Sequence, residues 1–180
     1  MFAKSKHILL LLVVIITFAF ASESELQFIV RGNSMFPILQ DGDEVTISEK
    51  FYLDNSPKRN EIVIHQFSDQ KAPIIKTIKA IESDTLEIEL TGGKFAHIVV
   101  NGKRLRNSAG ELYLIDKDAV RILTLYITDY NSIIPKNTVL LLGETQKGSF
   151  DSTRIGLTSV KDILGKVIKI NGEMIIYDEK

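Results

Sequence analysis

The sequence predicts a mainly β fold built from antiparallel strands, and three observations carry that expectation. Apolar and β-branched residues recur after residue 26 in runs of four to eight, the length of ordinary strands. Turn residues separate the runs at close spacing: Asp41-Gly42-Asp43, Thr91-Gly92-Gly93, Asn101-Gly102, Asn131–Pro135 and Asn171-Gly172. The same stretch shows little helical periodicity. Many short strands joined by tight turns favour a sandwich or barrel-like core.

In chain order, Leu26–Val30 and Glu44–Ile47 are short and mixed in polarity, as half-buried strands are. Glu61–Phe67 alternates, with Ile62 and Ile64 on one face and Val63 and His65 on the other. Ile74–Ile81 is more continuously apolar and carries Lys76 among its apolar residues. Thr85–Leu90, His97–Val100 and Arg121–Thr128 follow, and Val139–Leu142 and Val167–Ile170 complete the set. The one helical expectation is a single turn over Thr158–Leu164, with Thr158 or Ser159 as its N-cap. Residues 85–137 read as an inserted smaller β region, because the motifs treated below lie on either side of them. The main β core then comprises 26–84 and 138–180, and 1–25 is an N-terminal anchor or signal segment.

That segment has a charge signature. Lys4 and Lys6 precede an apolar run from Ile8 to Ala21 broken only by Thr17, and Glu23 and Glu25 follow. The basic flank stays inside and the remainder goes out. As a helix, the run is about 21 Å long, short of a hydrocarbon core of ~30 Å. Ala19-Phe20-Ala21 has the small-x-small spacing of a processing site. Two readings stay open: a signal peptide that is removed, and a short apolar helix retained as an anchor. The expectation taken forward is single-pass association with the cytoplasmic membrane, the rest of the chain lying on its outer, periplasmic or extracellular, face. The alternative is a soluble periplasmic chain that has lost residues 1–21.

Composition closes several routes to function. Of 180 residues, 44% are hydrophobic and 25% charged, which is globular usage. A net charge of −1 argues against a broad polyphosphate-binding surface, so no nucleic-acid partner is expected. The absence of cysteine removes disulfides, zinc–thiolate sites, iron–sulfur clusters and thiol nucleophiles together. Only His7, His65 and His97 could serve a histidine-based triad or metal site, and neither His65 nor His97 has a carboxylate orienter apparent in the sequence.

Gly32-Asn33-Ser34-Met35-Phe36-Pro37 follows the first strand and places a serine hydroxyl on a small-residue turn. Taken alone, Ser34 reads as a solvated turn residue, since a serine hydroxyl is a poor nucleophile without a base in reach. Lysine is an alternative base to histidine, but only when neutral, which requires burial. Lys76, on an apolar strand, meets that condition if its side chain points inward; a solvent-facing strand lysine is the plainer reading of it alone.

Several segments together resemble a known family. Arg31-Gly32-Asn33-Ser34-Met35-Phe36-Pro37-Ile38-Leu39, followed by Asp41-Gly42-Asp43, resembles the serine box of type I signal peptidases. Arg59-Asn60-Glu61-Ile62-Val63-Ile64 resembles the family's Arg-Gly-Asp-Ile-Val segment, and residues 75–84 its lysine box. Ile134-Pro135-Lys136 followed by Val139–Gly143 resembles its Val-Pro-x-Gly stretch, and Ser149-Phe150-Asp151-Ser152-Thr153-Arg154-Ile155-Gly156 its last box. The five segments fall in family order over residues 28–166. Departures are also present. Gly143-Glu144-Thr145-Gln146 stands where the family has Gly-Asp-Asn-Arg, Arg154 lies one place late, and Glu82 and Ser83 replace a Pro-Gly pair.

The resemblance implies a signal-peptidase-like antiparallel core, with Ser34 as nucleophile and Lys76 as general base. Ser149 is implied to orient the lysine, Asp151 to brace the site, and Arg154 to pair with Asp151. It implies exported preproteins as substrates, cut after small-x-small sequences and paired along a strand edge, with Phe28, Ile29 and Val30 as the candidate edge. Met35 is a further substrate-contact candidate, and Met35 and Phe36 are candidates for contact with membrane lipid. No metal or organic cofactor is implied. The alternatives are a dedicated conjugative-transfer-type processing peptidase secreted after loss of its own signal, and an inactive peptide-binding β module. A self-cleaving repressor shares similar Ser and Lys boxes, but an export segment stands where its DNA-binding domain would be.

Overall fold

The structure, a computed structural model, describes residues 24–66, 72–145 and 149–177. Antiparallel sheets dominate, as the sequence predicts. β1 (Glu25–Ile29) and β2 (Glu44–Glu49) pair with Phe28 opposite Val45. β3 (Ile62–His65) and β4 (Ile74–Ala80) pair with Val63 opposite Lys76. Between these two hairpins runs β10 (Ile163–Ile170), bonded to β2 on one side and β3 on the other, so the chain's last long strand ties the first four together. On the far side of β4 lie β8 (Thr138–Leu142) and β9 (Thr158–Ser159), giving the order β1-β2-β10-β3-β4-β8-β9. β11 (Glu173–Met174) folds back on β10.

The alternation read in Glu61–Phe67 decides the layers. Ile62 and Ile64 join one buried cluster with Met35, Leu39, Val45 and Ile47, while Val63 joins another with Ile78, Val139 and Leu141. A one-residue slip would exchange the two sets, which is why register is strongly specified here.

Residues 85–137 hold a three-stranded sheet of β5 (Leu86–Leu90), β6 (Ala96–Val100) and β7 (Lys103–Arg104). Asn101 and Gly102, both at positive φ, make the β6–β7 turn, and Asn171 and Gly172 make the β10–β11 turn in the same way. The strand expected at Arg121–Thr128 is not there. It is instead the middle of helix α1 (Lys117–Asp129). The β-branched composition suggested a strand, but Ala119 and Leu123 fall four apart and are both buried, which is helical spacing. Asp116 starts the helix by accepting the backbone N–H groups of Asp118 and Ala119. The region is thus α and β, and its core is shared: Leu86, Ile98 and Leu123 pack in one cluster with Ala80, Leu140 and Leu142 of the main sheet.

The helical turn expected at Thr158–Leu164 is shorter than expected. Thr158 and Ser159 pair as β9, and only Val160–Asp162 turn as a 3-10 helix, with no side-chain cap from Ser159. The apolar helix expected over Ile8–Ala21 lies outside the described residues. Among those described, no helix is long and apolar enough to cross a membrane.

Candidate active site

Ser34 sits on the connection from β1 to β2. The base of that connection is closed by Val30 N–H donating to Asp43 O (2.8 Å) and Gly42 N–H to Val30 O (3.0 Å). Gly32 occupies φ +80° with its N–H on Asp41 Oδ1 at 2.7 Å, a conformation that L side chains rarely adopt. Met35 and Leu39, both buried, then anchor the exit in the core. The serine is thus carried on a turn closed at one end and packed at the other.

Lys76 projects from β4 toward it. Its Nζ lies 3.0 Å from Ser34 Oγ and donates to Ile75 O at 2.7 Å. Only 3% of the residue is exposed. Burial lowers its pKa from 10.5 to about 8, and the Asp151 carboxylate pulls the other way. A lysine poised there is neutral in an appreciable fraction of molecules near pH 8, and a neutral amine can accept a hydroxyl proton.

A second segment braces this pair from the β8 side. Glu144 N–H donates to Ser34 O at 2.7 Å, which holds the serine's backbone. Gly143 N–H donates to Asp151 Oδ2 at 2.9 Å, while Asp151 Oδ1 caps the short helix α2 (Ser152–Ile155) through Thr153 N–H. Gly143 has no room for a side chain: a Cβ would lie 2.7 Å from Ser34 O and 2.5 Å from Ser149 Oγ. Both serines therefore pack on this one glycine. Gly143→Ala is expected to destabilise the fold by about 1–3 kcal/mol through overpacking against backbone, measured by denaturant unfolding.

Not all the expected partners meet. Ser149 is buried, but its Oγ has no hydrogen-bond partner among the described residues, where its contact with the site runs through packing on Gly143. Arg154 does not pair with Asp151. Its Nη2 reaches Asp116 Oδ2 at 2.8 Å instead, because Asp151 is already committed to Gly143 and Thr153 while Asp116 waits at the head of α1. That ion pair ties α1 to α2, and Tyr126 of α1 lies over Gly156, where a Cβ would overlap the ring.

Phe28, Ile29, Val30 and Met35 line one cavity of about 220 Å³ with Ser34 and Lys76. β1 is an end strand of its sheet, so Phe28 and Ile29 stand on an open edge. Residues 74–76 line the facing wall, and β4 meets β8 only from Thr77 onward. Met35 is 2% exposed and belongs to the core as much as to the cavity, whereas Phe36 is 54% exposed. The two described histidines lie elsewhere: His65 is buried, its pKa lowered by burial against the opposing charge of Asp162, and His97 Nδ1 contacts Tyr113 O at 3.0 Å.

The sequence reading missed the residues behind the site. Glu144 is fully buried; its Oε1 accepts Lys79 Nζ (2.8 Å) and Thr77 Oγ1 (2.6 Å), and its Oε2 accepts Ser108 N–H (2.7 Å). Asn107 Nδ2 donates to Glu144 O and the Tyr113 hydroxyl to Gly143 O. Asn107, Ser108 and Tyr113 thus grip the 143–144 segment that grips Ser34. A second lysine in an apolar strand was the available signal, since a buried cation requires a carboxylate.

The sequence matches the family described as "Signal peptidase, peptidase S26" over residues 2–170. Among similar curated proteins, Signal peptidase I P of Bacillus subtilis subsp. natto is 30% identical over 142 residues, 77% of this chain and 72% of that one. Signal peptidase IB of Staphylococcus aureus (strain COL) is 26% identical over 149 residues, 78% of this chain and 74% of that one. A crystal structure of a signal peptidase I from Enterococcus faecalis V583 overlaps 62% of this chain and 97% of that chain, with TM-score 0.43 and 18% identity, and adds nothing to the assignment. With the match extending over nearly the whole chain, the resemblance read from five short segments becomes an assignment: this chain belongs to the signal peptidase family, peptidase S26.

Proposed function

We propose that the chain is a membrane-associated serine endopeptidase of the signal peptidase I type. It removes the signal segment from exported preproteins after a small-x-small sequence. Ser34 is the nucleophile and Lys76 the general base. The observation that carries this reading is the 3.0 Å approach of a buried Lys76 amine to the Ser34 hydroxyl. No metal or cofactor enters the reaction.

The steps follow from that pair. Neutral Lys76 takes the Ser34 proton as Oγ bonds to the scissile carbonyl carbon. The oxyanion receives the Ser34 backbone N–H; Gly32 offers no side-chain donor beside it. The tetrahedral intermediate collapses with cleavage of the C–N bond, and the leaving amine takes the proton from Lys76. A water then gives its proton to Lys76 and attacks the acyl carbon, and Ser34 leaves with that proton. The substrate chain lies along the free edge of β1 and the start of β4, adding a strand between them. Small residues fit beside Met35 where larger ones clash. Asp151 braces the site through Gly143. Arg154 supports it at one remove through Asp116. Residues 26–84 and 138–180 form the catalytic core, and the 85–137 insertion supports it.

The test is cleavage of a preprotein carrying an Ala-x-Ala site by the full chain in detergent, with both product masses read between pH 6 and 10. A cut after the second alanine is expected, with kcat/KM rising about ten-fold per pH unit and levelling near pH 8, where Lys76 loses its proton. A cut elsewhere, or a rate flat through pH 8, would overturn the assignment of substrate or base. The enzyme's own mass reports whether residues 1–21 are retained.

A further inference from the structure

The scissile bond has two sides, and the cavity under β1 accounts for only one of them. A second cavity of about 190 Å³ begins at Ser149 and Asp151 and shares no lining residue with the first. Where the first is walled by β1 and the start of β4, the second is walled by the end of β8, residues 149–154 and the head of α1. Its floor is apolar, formed by Leu142, Ala119 and Tyr113, with Phe95 on the rim. Two side-chain hydroxyls along it, Ser149 Oγ and Thr145 Oγ1, are buried and have no hydrogen-bond partner among the described residues. Buried hydroxyls without partners are costly unless something completes them.

We propose that this second cavity is the subsite for the mature side of the preprotein. It takes the first two residues after the cut, binding their backbone through Ser149 and Thr145 and an apolar side chain over Leu142 and Phe95. The inference rests on the peptidase reading above. An extended chain advances about 3.3 Å per residue, so the acyl part and the leaving part diverge in opposite directions from the carbonyl held at Ser34. If the acyl part fills the cavity under β1, the leaving part passes Lys76 toward Gly143. Ser34 and Ser149 pack on that same glycine, so Ser149, which lines the second cavity, adjoins the residue that carries the nucleophile. The proton budget agrees: the leaving amine receives its proton from Lys76, and the Asp151 carboxylate that acts on Lys76 lines this cavity. The apolar floor favours an uncharged side chain and disfavours a carboxylate, which would lose its hydration beside Asp151.

The experiment uses the full chain in detergent and preproteins with one constant signal segment ending in Ala-x-Ala. The first two residues after the cut are Leu, Ala or Asp in turn. Leu is expected to exceed Asp by about ten-fold in kcat/KM at one of these positions. In Phe95→Ala and Thr145→Val the ratio is expected to fall to about two-fold, while the preference for alanine before the cut stays as in the wild type. Equal kcat/KM across the mature-side series in the wild type overturns the subsite and leaves the peptidase reading standing. Variants that lower every substrate by one factor also overturn it, since a merely structural role does that. A folded wild type that cuts none of the series overturns the peptidase reading, and the subsite with it.

Discussion

Lys76→Met is expected to abolish cleavage and to make the fold more stable at neutral pH. The activity loss is at least ~10³-fold, because the hydroxyl loses its proton acceptor and the leaving amine its donor in one substitution. Ser34→Ala should fall to the same floor, and the double variant no further, since the two act as one unit. The stability gain follows from linkage. Lys76 holds its proton less tightly when folded, at about 8, than at its ordinary 10.5. Below pH 8 both states are protonated and the fold carries the full cost of a buried ammonium, about 3 kcal/mol. Between pH 8 and 10.5 the folded amine is neutral while the unfolded one is charged, so the cost fades as pH rises, and above 10.5 it is gone. Methionine fills similar space without charge but loses the bonds to Ser34 and Ile75. A net gain of about 2 kcal/mol at pH 7, or about 5 °C in Tm, is expected, shrinking toward pH 10.5. Thermal scans at both pH values check it. A lower Tm at pH 7 would mean that Lys76 stabilises the fold and is not held there against its own solvation.

Glu144→Ala is expected to cost about 3–5 kcal/mol, the penalty for leaving a buried cation unpaired. Lys79 is 6% exposed and its ion-pair partner is Glu144, so the loss strands a charge and also removes the acceptor for Thr77 and Ser108. Cleavage should fall on the order of 10²-fold in kcat, because the 143–144 segment that holds Ser34 loosens. Lys79→Met combined with Glu144→Gln removes both charges and keeps the volume, and it should recover most of the stability. Denaturant unfolding of the three proteins separates the outcomes. If Glu144→Ala costs under 1 kcal/mol, Lys79 finds water, and the carboxylate is not what holds the segment.

These two sites differ in how much of them the sequence carried. Ser34 and Lys76 are legible only through the resemblance: each alone reads as an ordinary turn serine or strand lysine, and five segments in family order single them out. The strands are legible from local residue pattern. Alternation in Ile62–His65 and the Asn-Gly turns at 101 and 171 are local signals that the tertiary structure leaves in place. Helix α1 was misread because Arg121–Thr128 is β-branched and apolar on more than one face. Only docking of Ala119 and Leu123 against the shared core selects the helix. Glu144 was visible only as a departure from a pattern. Lys79, Thr77, Ser108 and Asn107 come together around it from two separate stretches of chain, and no local rule joins them.

The sequence, then, determined most of the antiparallel strands, the turns between them, the absence of any thiol chemistry and, through the family resemblance, the serine and lysine that the fold brings within 3.0 Å. The tertiary structure decided everything that depends on burial and on partners distant in the chain. It drew the Lys76 pKa down by excluding water. It gave Arg154 to Asp116 because Asp151 was already bound to Gly143, and it set Asn107, Ser108 and Tyr113 against the 143–144 segment behind Ser34. The reason is physical: residue type and spacing set local conformation, whereas solvation and pairing are properties of a volume that several segments must close together.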